Sequence, residues 1–255
     1  MPHARREAPS APDPLSRSFY ARSALTVARE LLGCILARRL PDGTVLRGRI
    51  VETEAYVGEE DKACHARAGR TPRTDPLYGP PGLAYVYFPY GMHYMLNAVA
   101  EPEGRPAAVL VRAAEPLEGI DQMTRGRGAS RKAGAATARH VAAGPARLTQ
   151  AFHIDLQLNR ADLRGPEIWI EPGTPVPNEQ VGTSARIGCQ TAVPPWDTIP
   201  WRFYVAGNPH VTPGTPRGAP TARKTRSGTP TARKTRSGTP TARKTRSGAG
   251  RRHRP

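Results

Sequence analysis

The sequence predicts a single α+β domain followed by a disordered basic tail. Three observations carry this expectation. Two strand–turn–strand patterns fall early in the chain, helical patterns sit between strands without regular βαβ alternation, and core-forming apolar residues stop near residue 213. The expected layout is a disordered N-terminus at 1–15, a folded domain at 16–213 and a tail at 214–255.

The elements follow in order. "SALTVARELLG" (23–33) predicts a short helix with Ser23 as N-cap and Gly33 just past the end. "CILARRL" and "TVLRGRIVETEAY" flank "PDG", which predicts a hairpin. A Gly/Pro-rich loop (66–82) leads to a second hairpin, "AYVYF-PYGM-HYMLNAVA", and then to a strand in "AAVLVRAAEP". Residues 126–143 read as a mobile loop. "GPARLTQAFHI" (144–154) predicts a helix with Pro145 in its first turn, and "WRFYVAG" (201–207) a closing strand.

Charge is distributed unevenly. The chain carries a formal +17, yet residues 214–255 hold 13 Lys or Arg and no acid. The remaining 25 basic residues against 21 acidic ones leave the body at +4. The tail repeats "TARKTRSG" at 221–228, 231–238 and 241–248. Without large apolar residues it cannot offset the entropy of ordering. Its cations Arg223, Lys224, Arg226, Arg233, Lys234, Arg236, Arg243, Lys244 and Arg246 suit sequence-independent contact with DNA phosphates. A purely solubilising extension has the same composition.

Other features narrow the class. No run of 18 or more apolar residues reads as a membrane span, and "MPHARREAPSAPDPLSR" lacks the apolar stretch of a secretory signal. Cys34, Cys64 and Cys189 lie far apart, which suits reduced thiols in an intracellular protein and argues against a structural zinc.

The stretch "RIVETEAYVGEEDKACH" (49–65) gathers five carboxylates in a basic chain. Period-two alternation puts Ile50, Glu52, Glu54 and Tyr56 on one strand face. A carboxylate beside an aromatic ring suits a general base, and it also suits an exposed strand face. Glu54 and His65 lack the spacing of metal ligands, so no metal is expected. The acids of "EED" (59–61) read as loop or helix-start charges. In the second hairpin, the turn "PYGM" sets Tyr90 at the tip, with Gly91 free to take a positive φ. Such a tyrosine serves either as a wedge between base steps or as packing against a neighbouring loop.

"LRGRIVETEAYVGEEDKACHA", "YVYFPYGMHYMLN", "VLVRAAEPLEG", "GPARLTQAFHI" and "RFYVAG" resemble, in order, the alkyladenine (3-methylpurine) DNA glycosylase family, from about Ser16 to Thr212. The resemblance implies a compact mixed domain with a curved, largely antiparallel β-sheet flanked by helices and a protruding, DNA-inserting hairpin. It implies hydrolysis of the N-glycosidic bond of alkylated or deaminated purines in duplex DNA, leaving an abasic site. Carried onto this sequence, Glu54 activates the water, Arg112 helps hold it, and Ile187 contributes a backbone carbonyl. Tyr56, His65 and Tyr87 line the base pocket, Asn97 helps reject guanine, and Tyr90 fills the gap left by the flipped nucleotide. Within "HYMLN", Met95 and Leu96 stand where relatives often carry other groups, and the loop "TPRTDPLYGPPG" departs from the family between its Thr-Pro-Arg and Pro-Gly.

The expected partner is double-stranded DNA containing damaged purines, met by a monomer with no cofactor and no membrane. No lysine in these blocks stands as an obvious amine nucleophile, so a monofunctional enzyme is expected. The expected setting is a bacterial cytoplasm, in association with the nucleoid. The rival reading is a catalytically weak or inactive protein of the same fold that binds DNA through its tail.

Overall fold

The computed structural model describes residues 13–128 and 140–212. The repeat cations and the expected boundary at 214 lie outside these residues. The fold is α+β, as the sequence predicts. Its eight described strands join in one curled sheet whose pairings are all antiparallel.

The first residues dock early. Leu15, just ahead of the start expected at Ser16, is buried, and its N–H donates to Ile170 O. A short helix α1 (Arg17–Tyr20) leads into α2 (Ala24–Glu30). Ser23 caps α2 as expected, its side chain accepting from Thr26 N–H. Gly33 lies beyond the helix end at φ +92°, where an added Cβ would sit 2.1 Å from Thr174 O.

The sheet is built around one long strand. The first hairpin comprises β1 (Ile35–Arg39) and β2 (Val45–Val57), the second β3 (Ala84–Tyr87) and β4 (Met95–Val99). β5 (Ala107–Glu118) joins the two, pairing with β4 and along most of β2. The opposite edge of β2 changes partner partway. It pairs with β1 through Val45–Arg49, then with β8 (Arg202–Val205) through Glu52–Glu54.

Three elements had no clear sequence signal: helix α3 (Ile120–Gly126), β6 (Ile168–Glu171) and β7 (Val181–Ser184). "VGTS" lacks apolar alternation, because β7 packs through its backbone. Gly182 lies so close to Tyr204 that a Cβ would meet the ring at 2.3 Å. Of the mobile loop expected at 126–143, residues 129–139 lie outside the described residues. Gly126 closes α3, and Val141–Ala143 are buried, with Ala143 bridged to Ala113. Helix α4 (Pro145–Ala151) starts at Pro145 as expected and packs on β4 and β5.

The two faces of the sheet bury different things. One carries the main core, including Val27, Leu31, Ile50, Ala55, Val109 and Phe152. The other carries a smaller cluster of Cys64, Ala66, Leu77, Tyr78, Tyr85 and Ala108, against which Tyr56 and Tyr87 pack. The loop between β2 and β3 lies over this second face.

Candidate active site

The local geometry begins with two compensating bulges. Ile50 pairs with Ala114, Glu52 with Ala113 and Thr53 with Val111. Val51 on β2 and Arg112 on β5 are therefore each an extra residue in the ladder. Bulges re-aim side chains, and here they break the simple alternation. Ile50, expected on the face of Glu54, instead joins Ala55 in the main core. Thr53 turns toward α2 and donates its hydroxyl to Ala28 O at 2.7 Å. Glu52, Glu54 and Tyr56 face the other way.

Two buried glutamates and two arginines form the centre. Glu54 is fully buried, accepts from Ile187 N–H at 2.7 Å and Tyr56 Oη at 2.8 Å, and forms an ion pair with Arg112 Nη1 at 3.1 Å. Glu52, also fully buried, accepts from Arg112 Nε at 2.9 Å, Arg202 Nε at 2.7 Å and Thr212 N–H at 2.7 Å. Burial opposes the Glu52 charge, but Arg112 and Arg202 outweigh it and hold the carboxyl below its ordinary range. Burial likewise opposes the Arg112 charge, and Glu54 and Glu52 more than restore it. Arg112 thus bridges both carboxylates through different nitrogens of one planar guanidinium. A carboxylate offers about four acceptor sites. Two on Glu54 accept protein hydrogen bonds, so acceptor capacity remains on this carboxylate.

A cavity of about 590 Å³ opens in front of this cluster, within the range of small-ligand sites. Tyr56, His65, Tyr87, Asn97, Arg112 and Ile187 all line it. Glu54 stands one layer behind, held by three of those wall residues. Burial first, and the Glu54 carboxylate second, push the Tyr56 phenol far above its ordinary range, so it remains a donor. Burial, with Arg73 and Arg67 nearby, lowers His65 to about 4, which leaves the imidazole neutral at pH 7. Asn97 is buried, and its Nδ2 donates to Tyr85 O at 3.1 Å. Met95 also lines the cavity, whereas Leu96 points into the main core. Arg67 and Arg73, both exposed, sit at the mouth.

The structure brings together Glu54, Tyr56, His65, Tyr87, Asn97, Arg112 and Ile187 from five separated stretches of chain. At Ile187 the group that reaches Glu54 is the N–H; the expected part played by its carbonyl stays a proposal. Tyr90 lies in a 3-10 turn, Pro89–Gly91, between β3 and β4, with Gly91 at φ +66°. Phe88 and Met92 flank that turn and are 42% and 64% exposed, an apolar tip on a polar chain. The tail cations Arg223, Lys224, Arg226, Arg233, Lys234, Arg236, Arg243, Lys244 and Arg246 lie outside the described residues. No group of metal-ligating side chains occurs among the described residues.

Several contributors escaped sequence reasoning. Glu52 shares the face of Glu54, as alternation predicts, but its ties to Arg112, Arg202 and Thr212 carry no local signal. Arg202 and Arg186 lie 150 and 125 residues from their acid partners, too far for any local pattern. Arg186 and Asp61 form a fully buried ion pair, and Arg186 Nη1 also donates to Ala55 O at 2.9 Å. The guanidinium lies between two rings, 4.7 Å from the Tyr56 centroid and 5.2 Å from that of Trp201. Asp61, one of the acids expected to be a loop charge, is thus a buried anchor. Cys189 stands 3.7 Å from Tyr56 Oη, and all three cysteines are free and buried.

Comparison with known proteins gives the family. Residues 18–209 match the family described as methylpurine-DNA glycosylase (MPG). The chain is 44% identical over 212 residues to a protein of Chlorobaculum parvum, covering 83% of this chain and 96% of that one. It is 46% identical over 205 residues to one of Myxococcus xanthus, covering 80% and 96%. A protein of Carboxydothermus hydrogenoformans is 46% identical over 199 residues, covering 78% and 98%. Each bears the name "Putative 3-methyladenine DNA glycosylase". The class is therefore a DNA glycosylase, a hydrolase of N-glycosidic bonds. Within it, the chain belongs to the methylpurine-DNA glycosylase family.

Two consequences are measurable. Arg186→Met strands the Asp61 carboxylate in the interior, and such breaks cost about 3–5 kcal/mol. Denaturant unfolding should show that loss, and Asp61→Leu added to Arg186→Met should recover part of it. For His65, the folded state refuses between about pH 6.5 and 4 a proton that the unfolded chain accepts. Stability contributed by this group is present above that window and is lost as the pH falls through it. His65→Gln should therefore gain on wild type as the pH falls from 7 to 4. A pH-independent gap between the two unfolding curves contradicts this.

Proposed function

We propose that this chain is a monofunctional base-excision glycosylase acting on alkylated or deaminated purines in double-stranded DNA. Its substrate classes are 3-methyladenine, 7-methylguanine, hypoxanthine and ethenoadenine. The carrying observation is Glu54, a buried carboxylate held by two hydrogen bonds and one arginine behind a tyrosine-lined cavity large enough to admit a purine.

A stacked base shields its glycosidic bond, so the nucleotide must leave the duplex, at a cost of about a few kcal/mol. The turn carrying Tyr90 supplies the wedge that fills the gap, with Phe88 and Met92 beside it at the groove. Arg67 and Arg73 at the cavity mouth suit the flanking phosphates. Inside, a cationic alkylpurine against the Tyr56 and Tyr87 rings gains about 0.5–2 kcal/mol. The Asn97 amide, held by Tyr85 O, opposes the amino group of normal guanine.

In the reaction, a water attacks C1′ and its oxygen bonds to that carbon. The N-glycosidic bond breaks, its electron pair leaves with the purine, and the water proton passes to Glu54. The same carboxylate stabilises the positive charge that grows on the sugar. Arg112 and the Ile187 carbonyl help to position the water. Among the described residues no lysine lines the cavity, and Lys62 of the adjoining loop is exposed and outside it, which favours hydrolysis over an amine-linked intermediate. The protein works as a monomer in the bacterial cytoplasm, with the tail holding it to the nucleoid.

Glu54→Gln should still bind a hypoxanthine-containing duplex but release free base at least about 100-fold more slowly in single turnover. Release at the wild-type rate removes the catalytic assignment. Borohydride added during turnover should trap no covalent DNA adduct. Deleting residues 214–255 should weaken affinity and flatten its dependence on salt while sparing single-turnover chemistry. An unchanged salt slope removes the tail from DNA binding.

A further inference from the structure

Arg186 takes no part in the mechanism above, yet it touches both residues that donate hydrogen bonds to Glu54. Its guanidinium carbon lies 4.7 Å from the centroid of the Tyr56 ring, whose hydroxyl donates to Glu54. Its main chain continues directly into Ile187, whose N–H is the second hydrogen bond on that carboxylate. The guanidinium itself is fixed on several sides. Nη2 meets Asp61 Oδ1 at 2.8 Å and Trp196 O at 3.3 Å, and Nη1 donates to Ala55 O, between Glu54 and Tyr56 on β2. Asp61 is held in turn, accepting from Val57 N–H at 3.2 Å and Ala63 N–H at 3.0 Å.

Little else pins the Ile187 N–H. Strand β7 ends at Ser184, and Arg186 is the one buried residue between there and Cys189. The Ile187 residue is 40% exposed, and at Gly188, φ +86°, an added Cβ would meet nothing within 4 Å. Stabilisation alone accounts poorly for the pair. A buried ion pair gives little net free energy compared with apolar packing of the same volume. Arg186 Nε is also buried without a hydrogen-bond partner among the described residues, which adds a desolvation cost. What the pair supplies is geometry, because a planar fork fixes position and angle together.

We propose that Arg186, anchored by Asp61, is a positioning residue that holds the Ile187 N–H and the Tyr56 phenol on Glu54. It thereby fixes the direction in which this carboxylate meets the water. Arg186 does not line the cavity and acts only through these two donors. The catalytic half of the inference rests on the role proposed for Glu54 above; the geometric half does not. Misplacing a reacting group by about 1 Å can cost on the order of 100-fold in rate.

The test separates position from stability. Arg186→Met/Asp61→Leu removes both charges together and so avoids the stranded carboxylate of the single variant. Full-length proteins labelled with 15N-isoleucine report the Ile187 amide, identified as the signal missing from Ile187→Val. In wild type that proton should lie downfield and exchange slowly, as a charge-assisted bond to a carboxylate requires. An amide that exchanges as fast as open chain overturns the proposal whether or not any variant folds. In the double variant the signal should move upfield and exchange at least about tenfold faster. That variant should bind a hypoxanthine-containing duplex within about threefold of wild type, yet release base about 30–100-fold more slowly in single turnover. Arg186→Lys keeps a charge for Asp61 without the planar fork, and covers the case in which the double variant does not fold. It should show the same amide change and lose about tenfold in release. An unshifted Ile187 amide in either folded variant overturns the proposal, as does release that falls no further than the folded fraction. A wild type that releases no base, with the amide responding as expected, would instead sink the glycosylase reading.

Discussion

The site depends on one constraint: two carboxylates buried side by side need positive charge within reach. Two such groups in a low-dielectric interior repel each other, and each loses its hydration. Arg112 answers both problems, because its guanidinium bonds Glu52 through Nε and pairs with Glu54 through Nη1. Arg202 then balances the second negative charge. The four groups sum to zero, so the cluster tolerates burial that would neutralise a lone glutamate. Alternation alone puts Glu52 and Glu54 on one face; the bulge at Val51 sends Ile50 to the core behind them, and the one at Arg112 breaks the β5 register beside them.

The same cluster closes the fold. β8 supplies Arg202, and the chain just beyond it supplies the Thr212 N–H to Glu52. The C-terminal strand is therefore tied to the centre by charge as well as by its ladder with β2. A second tie runs through Arg186. Its pairing with Asp61 and its bond to Ala55 O fix the 185–189 turn against β2. That turn delivers the Ile187 N–H to Glu54, so loss of the Arg186 pair would reach the carboxylate without touching it directly.

Legibility in the sequence followed the range of the interaction. The α2 cap, the PDG hairpin and the Pro145 helix start were readable because their physics lies within a few residues. Glu54 and Tyr56 were placed on one face by a period of two, which holds beyond the bulge and fails at Ile50 before it. The roles of His65, Tyr87, Asn97 and Arg112 came from resemblance alone, since each meets the others only through the sheet. Glu52, Arg202, Arg186 and Asp61 stayed invisible for the same reason: an ion pair across a hundred residues leaves no local trace. Strand β7 was missed because it contributes backbone and a glycine rather than an apolar pattern.

The pocket walls also bear on what kind of purine they suit. An aromatic ring attracts a cation through its face, and each face can serve one partner. Tyr56 already has the Arg186 guanidinium on one face, and Tyr87 has the Tyr85 ring on one of its own. Arg186 draws on the Tyr56 π-system from behind, although Asp61 cancels much of its longer-range field. The ring presented to the cavity is thus a weaker cation receptor than a free tyrosine. His65, kept neutral, adds no charge against a cationic base and offers hydrogen bonding to a neutral one. On the function proposed above, a pocket assembled this way would rely less on the positive charge of a base and more on fit and hydrogen bonding.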